Sequence, residues 1–104
     1  MKRMELGVVV SDLLPDVQAG NPRNSEGTFL ETQSDGILFV YSRFRGNDPA
    51  DQAYADLCLM RSMDGGRTFG EGEIILTCEG EGGVNMMCPS LLQMENGEIG
   101  LFYL

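Results

Sequence analysis

Two stretches of this chain repeat each other. Asn24 to Tyr41 (NSEGTFLETQSDGILFVY) and Asn85 to Tyr103 (NMMCPSLLQMENGEIGLFY) run in parallel at a spacing of 61 to 62 residues. Each copy has an Asn ahead of a first apolar segment, then Asp-Gly or Asn-Gly, then an aliphatic–aromatic segment ending in Tyr. A repeat of this length is a strong constraint, because one such unit cannot bury its apolar face alone and needs neighbours of the same kind. The pieces within each unit have strand length. Fourteen glycines cut the chain into short segments rich in β-branched and aromatic residues, with no 3.6-residue period. The sequence predicts strands over 4–10, 27–33, 37–44, 55–63, 73–78, 87–94 and 98–104. Asp35-Gly36 and Asn96-Gly97 read as two-residue type I′ hairpin turns, which need positive φ at both central positions. Asp64-Gly65-Gly66 reads as a third turn, and 11–24 and 45–54 as longer loops.

Four strands separate the start of one copy from the start of the next. A repeat of four antiparallel strands is the unit of a β-propeller blade. The expected fold is therefore all-β, with antiparallel four-stranded blades present as an incomplete fragment of a ring. Residues 1–24 are expected to form an N-terminal strand and lead-in, 25–84 a first blade, and 85–104 the inner half of a second.

Charge and composition exclude several functions. Seven Lys+Arg face 16 Asp+Glu, for a net charge of −9. Residues 46–104 carry two of the cations and ten of the anions. Such a surface repels phosphate, so nucleic acid and anionic membranes are not expected partners. The stretch Gly70 to Gly83 is rich in glycine but acidic, and does not read as a phosphate cradle. With no histidine in the chain, Ser-His-Asp and Cys-His pairs and histidine metal sites are excluded within it. Neither a metal nor another cofactor is expected. Cys58, Cys78 and Cys88 make no Cys-x-x-Cys pair and read as small buried hydrophobes, and the methionines as core filler. Met1-Lys2-Arg3 opens like a secretory leader, but the apolar run Leu6 to Val10 is short and stops at Asp12. No stretch reaches membrane-spanning length. The expected location is cytoplasmic, with a secreted parent as the alternative.

The strongest local signal is Ser62-Met63-Asp64-Gly65-Gly66-Arg67-Thr68-Phe69, a full match to Ser-x-Asp-x-Gly-x-Thr-aromatic. A chance match in a chain this short is on the order of one in ten thousand at average residue frequencies. Its physical logic is a hairpin tied by side chains. Ser62 and Asp64 accept from turn amides, Gly66 supplies a left-handed backbone, Thr68 adds a hydroxyl bond and Phe69 plugs the turn into the sheet. Asp64 is therefore read as a structural residue.

This pattern is the Asp-box, and from Asn21 to Leu104 the chain resembles the N-terminal portion of the sialidase (neuraminidase) superfamily of BNR-repeat propellers. The resemblance rests on Asn21-Pro22-Arg23-Asn24-Ser25-Glu26-Gly27, the run Ile37 to Phe44, the acidic loop after it, the Asp-box, and Pro89-Ser90-Leu91-Leu92 leading to Leu101-Phe102-Tyr103. It implies a six-bladed ring and an exo-α-sialidase-like glycoside hydrolase. By the same resemblance Arg23 belongs to an arginine triad that grips the substrate carboxylate. Arg43, 20 residues on, contacts the sugar ring. Asp51 is the general acid/base, with Asp48 as runner-up. Guanidinium forks bind carboxylates in a bidentate way that lysine does not reproduce, which suits a carboxylate sugar. Sialidases depart from the two-carboxylate scheme of other glycosidases by using a tyrosine nucleophile. That tyrosine, its glutamate and two further arginines come from later blades in the family, and Tyr103 is not at the nucleophile's place. Cys88 stands where some sialidases carry an aspartate.

The expected function is thus the N-terminal part of a hydrolase for terminal sialic acid or a related acidic sugar, inactive as this chain alone. A non-catalytic glycan- or protein-binding propeller module is the alternative. Unpaired strand edges also raise the expectation of self-association, with three copies closing one ring.

Overall fold

The computed structural model describes residues 13–80 and 82–104. The strand expected over 4–10 lies outside them. The described residues form six strands: β1 (Asn24–Glu31), β2 (Ile37–Phe44), β3 (Ala55–Ser62), β4 (Glu73–Leu76), β5 (Ser90–Gln93) and β6 (Ile99–Phe102). Strands β1 to β4 make one antiparallel sheet in sequential order, and β5 and β6 make a second, two-stranded sheet. Among the described residues there is no helix, and so none long and apolar enough to cross a membrane.

The sequence ILFVYSRF of β2 explains why that strand is central. A strand buried on both faces reads as a continuous apolar run, and β2 is buried along almost its whole length. Its alternate residues serve two different cores. Phe39 and Tyr41 pack with Cys58 and Met60 on one face, under Leu13, Leu14 and Phe69. Val40 packs with Leu57, Cys78 and Met86 on the other, against Leu91, Leu101 and Tyr103 of the second repeat. The Ser42 hydroxyl, fully buried, donates to the Met86 carbonyl at 2.6 Å and fastens the two sheets together.

The repeat is a repeat in three dimensions. Gly27 pairs with Tyr41 and Glu31 with Ile37; Gln93 pairs with Ile99 and Leu91 with Leu101. Ladder positions correspond at an offset of 62 residues throughout. Each copy also carries one extra residue near its start. Ser25 opposes Ser42 but Gly27 opposes Tyr41, leaving Glu26 as a bulge with φ of +32°. In the second copy Met87 and Leu104 exchange backbone hydrogen bonds at 3.0 and 2.9 Å, and Ser90 opposes Phe102. Cys88 and Pro89 together therefore face Tyr103, and Cys88 has φ of +52°. The regular ladder of β5 begins at Ser90, later than the sequence predicts, because of this bulge and because Pro89 has no N–H to give.

Two expectations are corrected here. Neither hairpin has a two-residue turn. Both loops hold five residues, 32–36 and 94–98, with Thr32 N donating to Gly36 O at 2.9 Å and Met94 N to Glu98 O at 2.8 Å. Neither Asp35 nor Asn96 has positive φ, so type I′ geometry is absent; only Gly36 and Gly97 enter the left-handed region. The Thr32 hydroxyl closes the first loop by accepting from Asp35 N and donating to Gly36 O. The second correction concerns cysteine. Cys58 and Cys78 are buried and free, but Cys88 is exposed, because its bulge turns it out of the sheet.

Candidate functional site

The Asp-box joins β3 to β4 as a tied turn. Gly66 N donates to Ser62 Oγ at 2.9 Å, Thr68 N to Asp64 Oδ1 at 2.9 Å, and Thr68 Oγ1 to Asp64 Oδ2 at 2.5 Å. Gly66 has φ of +89°, and Phe69 meets Phe29 edge-on with centroids 6.1 Å apart. The Asp64 carboxyl is lowered to about 2, first by the Thr68 hydroxyl, then by the Thr68 amide and the Ser62 hydroxyl. All three donors stabilise the ionised form. A carboxylate so committed to its own turn has no lone pair directed at a substrate.

Arg23 and Asp51 come together at the other end of the sheet, although 28 residues separate them. Arg23 Nη1 donates to Asp51 Oδ1 at 2.6 Å and to Pro49 O at 3.1 Å, and Nη2 donates to Ser25 Oγ at 3.2 Å. The guanidinium lies over the Phe44 ring, 4.6 Å from its centroid. Ring, carboxylate and hydroxyl hold a planar fork in one orientation. Asp51 itself is mostly open to water, its side chain 84% exposed. An ion pair of that exposure contributes about 1 kcal/mol or less to stability.

Three further side chains frame this end. Asn21 is buried, and its Nδ2 reaches Phe44 O at 2.8 Å and Arg23 O at 3.2 Å, so it ties the arginine's backbone to that of its cross-strand neighbour; its Oδ1 has no hydrogen-bond partner among the described residues. Asn85 Nδ2 donates to the Asp51 carbonyl and ties the acidic loop to the second repeat. Glu26 Oε2 accepts from both the amide and the thiol of Cys88 at 3.0 Å. The two bulged residues, 62 positions apart, thus touch each other. That bond is the first cause, ahead of burial and the carboxylate's charge, of a raised Cys88 thiol.

Arg43 does not join this group. Cross-strand partners share a face of a sheet, and alternate residues take opposite faces. Arg23 N-terminal to the bulge lies with Phe44, whereas Arg43 lies with Tyr41 on the opposite face. There it lines a cavity of about 640 Å³ with Tyr41, Cys58, Met60, Glu71 and Leu13 among others. Burial raises the Tyr41 hydroxyl well above its ordinary value, and its hydrogen bond with Cys58 adds to this; Arg43 acts in the other direction. Asp48 also stands apart from Arg23. Its Oδ1 accepts from Ala50 N at 2.9 Å, and it lines a separate cleft of about 320 Å³ with Arg45, Gln52 and Tyr54.

Arg45 has a structural place. Its Nε is 3.2 Å from Asp56 Oδ2, without the alignment of a hydrogen bond, and Nη2 is 2.9 Å from Glu79 Oε1. Asp56 is buried and also accepts from Cys78 N at 2.9 Å. This pair locks the chain leaving β4 onto the start of β3. Among the described residues no three Cys, Asp or Glu side chains gather as a metal ion needs.

Sequence reasoning named Arg23 and Asp51 but missed Glu26, Asn85 and Asn21 as their framework. The signal for Glu26 was present in the repeat: Glu26 and Cys88 occupy the same place in it. No family model, curated protein or solved structure matches this chain.

Proposed function

We propose that this chain is the first one and a half blades of a sialidase-like β-propeller, and that Arg23 forms one side of a site for the carboxylate of terminal sialic acid or a related acidic sugar. The observation that carries the reading is the Arg23 fork: stacked on Phe44, fixed through both Nη atoms, and already holding a carboxylate, that of Asp51, at 2.6 Å. Two sheets of four and two strands, a 62-residue spacing and an Asp-box between the third and fourth strands support the propeller.

In this reading Asp51 occupies the guanidinium until a sugar carboxylate replaces it. The exchange frees the Asp51 carboxylate to take a proton from water and then to pass that proton to the leaving oxygen. Arg43 takes no part at this end. A nucleophile and further arginines belong to other blades of the ring, so the present chain binds weakly and does not turn over. The exposure of Asp51 favours a second reading, binding without catalysis, since water is not excluded from this carboxylate.

The test is an NMR titration of the Arg23 side-chain Nε–H with N-acetylneuraminic acid. The expected result is a saturable shift at Arg23 and at the Asp51 amide, absent with galactose, which lacks the carboxylate, and lost in Arg23→Lys. No shift at Arg23, or an equal shift with galactose, defeats the proposal. Hydrolysis of a fluorogenic sialoside by the chain alone would show that catalysis does not need the other blades.

A further inference from the structure

The loop between β2 and β3 has two sides, and only one of them meets Arg23. On the other, Asp48, Gln52 and Tyr54 line the cleft of about 320 Å³ together with Arg45, Asn47 and Val84. Its walls are held in place by the chain itself. Arg45 N donates to Tyr54 O at 3.1 Å and closes the base of the loop, and Ala53 N donates to Ala50 O at 2.9 Å inside it. Ala53 and Ala55 are buried with Phe44, while Tyr54 between them is turned outward, 53% exposed. Arg45 is fixed by Asp56 and Glu79, and its guanidinium lies over the Tyr54 ring, 5.3 Å from the centroid. With one ring face taken by Arg45, that exposure leaves the other face open. Val84, 51% exposed, adds a second apolar wall.

The polar lining decides what kind of molecule fits. Asp48 Oδ1 accepts from Ala50 N, and the side-chain amides of Asn47 and Gln52 have no partner among the described residues. An amide both donates and accepts, which matches a hydroxyl better than an ion. The charge of Arg45 is already met by Asp56 and Glu79, and Asp48 adds a further carboxylate, so an anion is repelled here. A cation on the open ring face would meet the charge of Arg45 across the ring. What remains is a neutral molecule with one apolar face and several hydroxyls at its edge. A pyranose has that form, with C–H bonds on a ring face and hydroxyls around the rim. The cleft lies at the small end of the range for ligand sites, about 300–1,000 Å³, which suits a single ring.

We propose that the cleft at Tyr54 binds one neutral hexopyranose, stacked on the open face of Tyr54 and hydrogen-bonded by Asn47, Asp48 and Gln52. This site is separate from the Arg23 fork and does not rest on the acidic-sugar reading.

Titration of the full chain with methyl β-galactoside tests this, because that sugar presents C3–H, C4–H and C5–H together on one face. Proton–nitrogen correlation spectra are expected to show saturable shifts at the Gln52 and Asn47 side-chain amides and at the Tyr54 backbone amide. The Arg23 Nε–H reports on the acidic sugar and is expected not to move, so failure of either reading is seen separately. Tyr54→Ala should weaken binding about tenfold, whereas Tyr54→Phe, which keeps the ring, should bind as the wild type does. Far-UV circular dichroism confirms that both variants keep the β-sheet fold. No saturable shift at Gln52, an equal shift with glycerol, which has hydroxyls but no ring face, a larger shift with choline, or unchanged affinity in Tyr54→Ala would each overturn the proposal.

Discussion

Val40 and Phe102 hold the same position in two hairpins that share a register, yet one is 1% exposed and the other 55%. Phe39 and Leu101 make a second such pair, the first buried at 6% and the second only partly covered. The hairpins share register, loop length and the place of the bulge. They differ in company: β1–β2 continues into β3 and β4 and is covered on both faces, whereas β5–β6 has one sheet beneath it. Core status here is conferred by neighbours, not written into the hairpin.

The largest expected effects test that directly. Phe39→Ala should cost about 3–5 kcal/mol of unfolding free energy. Phe102→Ala should cost about 0.5 kcal/mol or less, as an exposed substitution does. Leu101→Ala should fall between. Urea unfolding followed by far-UV circular dichroism checks all three, and equal losses would break the comparison. Ser42→Ala comes next, at about 1–3 kcal/mol, because it leaves the buried Met86 carbonyl without its donor. Hydrogen exchange should then speed up in 86–104 while β2 and β3 stay protected.

The Asp-box lies between the two repeated hairpins, and its contribution depends on pH. The folded Asp64 carboxyl sits at about 2, below the unfolded value of about 3.9. Its stabilisation is therefore complete above about pH 4 and lost as pH falls toward 2. Asp64→Asn should flatten the acid limb of the stability curve between those values, as read from unfolding midpoints at each pH. An unchanged slope would show that the tie owes nothing to charge. The smallest effect concerns the paired bulges. Cys88 is exposed but its thiolate is opposed by Glu26, so alkylation at mildly alkaline pH should be slow. Glu26→Gln should speed it severalfold by intact mass, with Cys58 and Cys78 unmodified.

What could be read from the residues depended on scale. The bounds of β2 follow from its unbroken apolar run, and the four-plus-two arrangement of strands follows from the repeat. The turns did not follow, for a specific reason. Matching Asp35-Gly36 to Asn96-Gly97 implies an offset of 61, while the ladders run at 62, so Gly36 and Gly97 hold different places in loops of equal length. The side-chain turn at Ser62, Asp64 and Thr68 is local, and its chemistry is legible within eight residues. The contact of Arg23 with Asp51 is not local. It needs a bulge at a glutamate with positive φ, and nothing in the letter sequence marks a non-glycine residue for that conformation.

The bulge at Glu26 acts as a change of phase. Along a strand, side chains alternate strictly between faces, so one inserted residue inverts everything on its N-terminal side. Without it Arg23 would project beside Arg43, toward the lead-in, and two guanidinium groups would crowd one surface while Asp51 stood alone on the other. Leaving Glu26 out of the pairing thereby sorts two cations onto opposite sides of the same sheet.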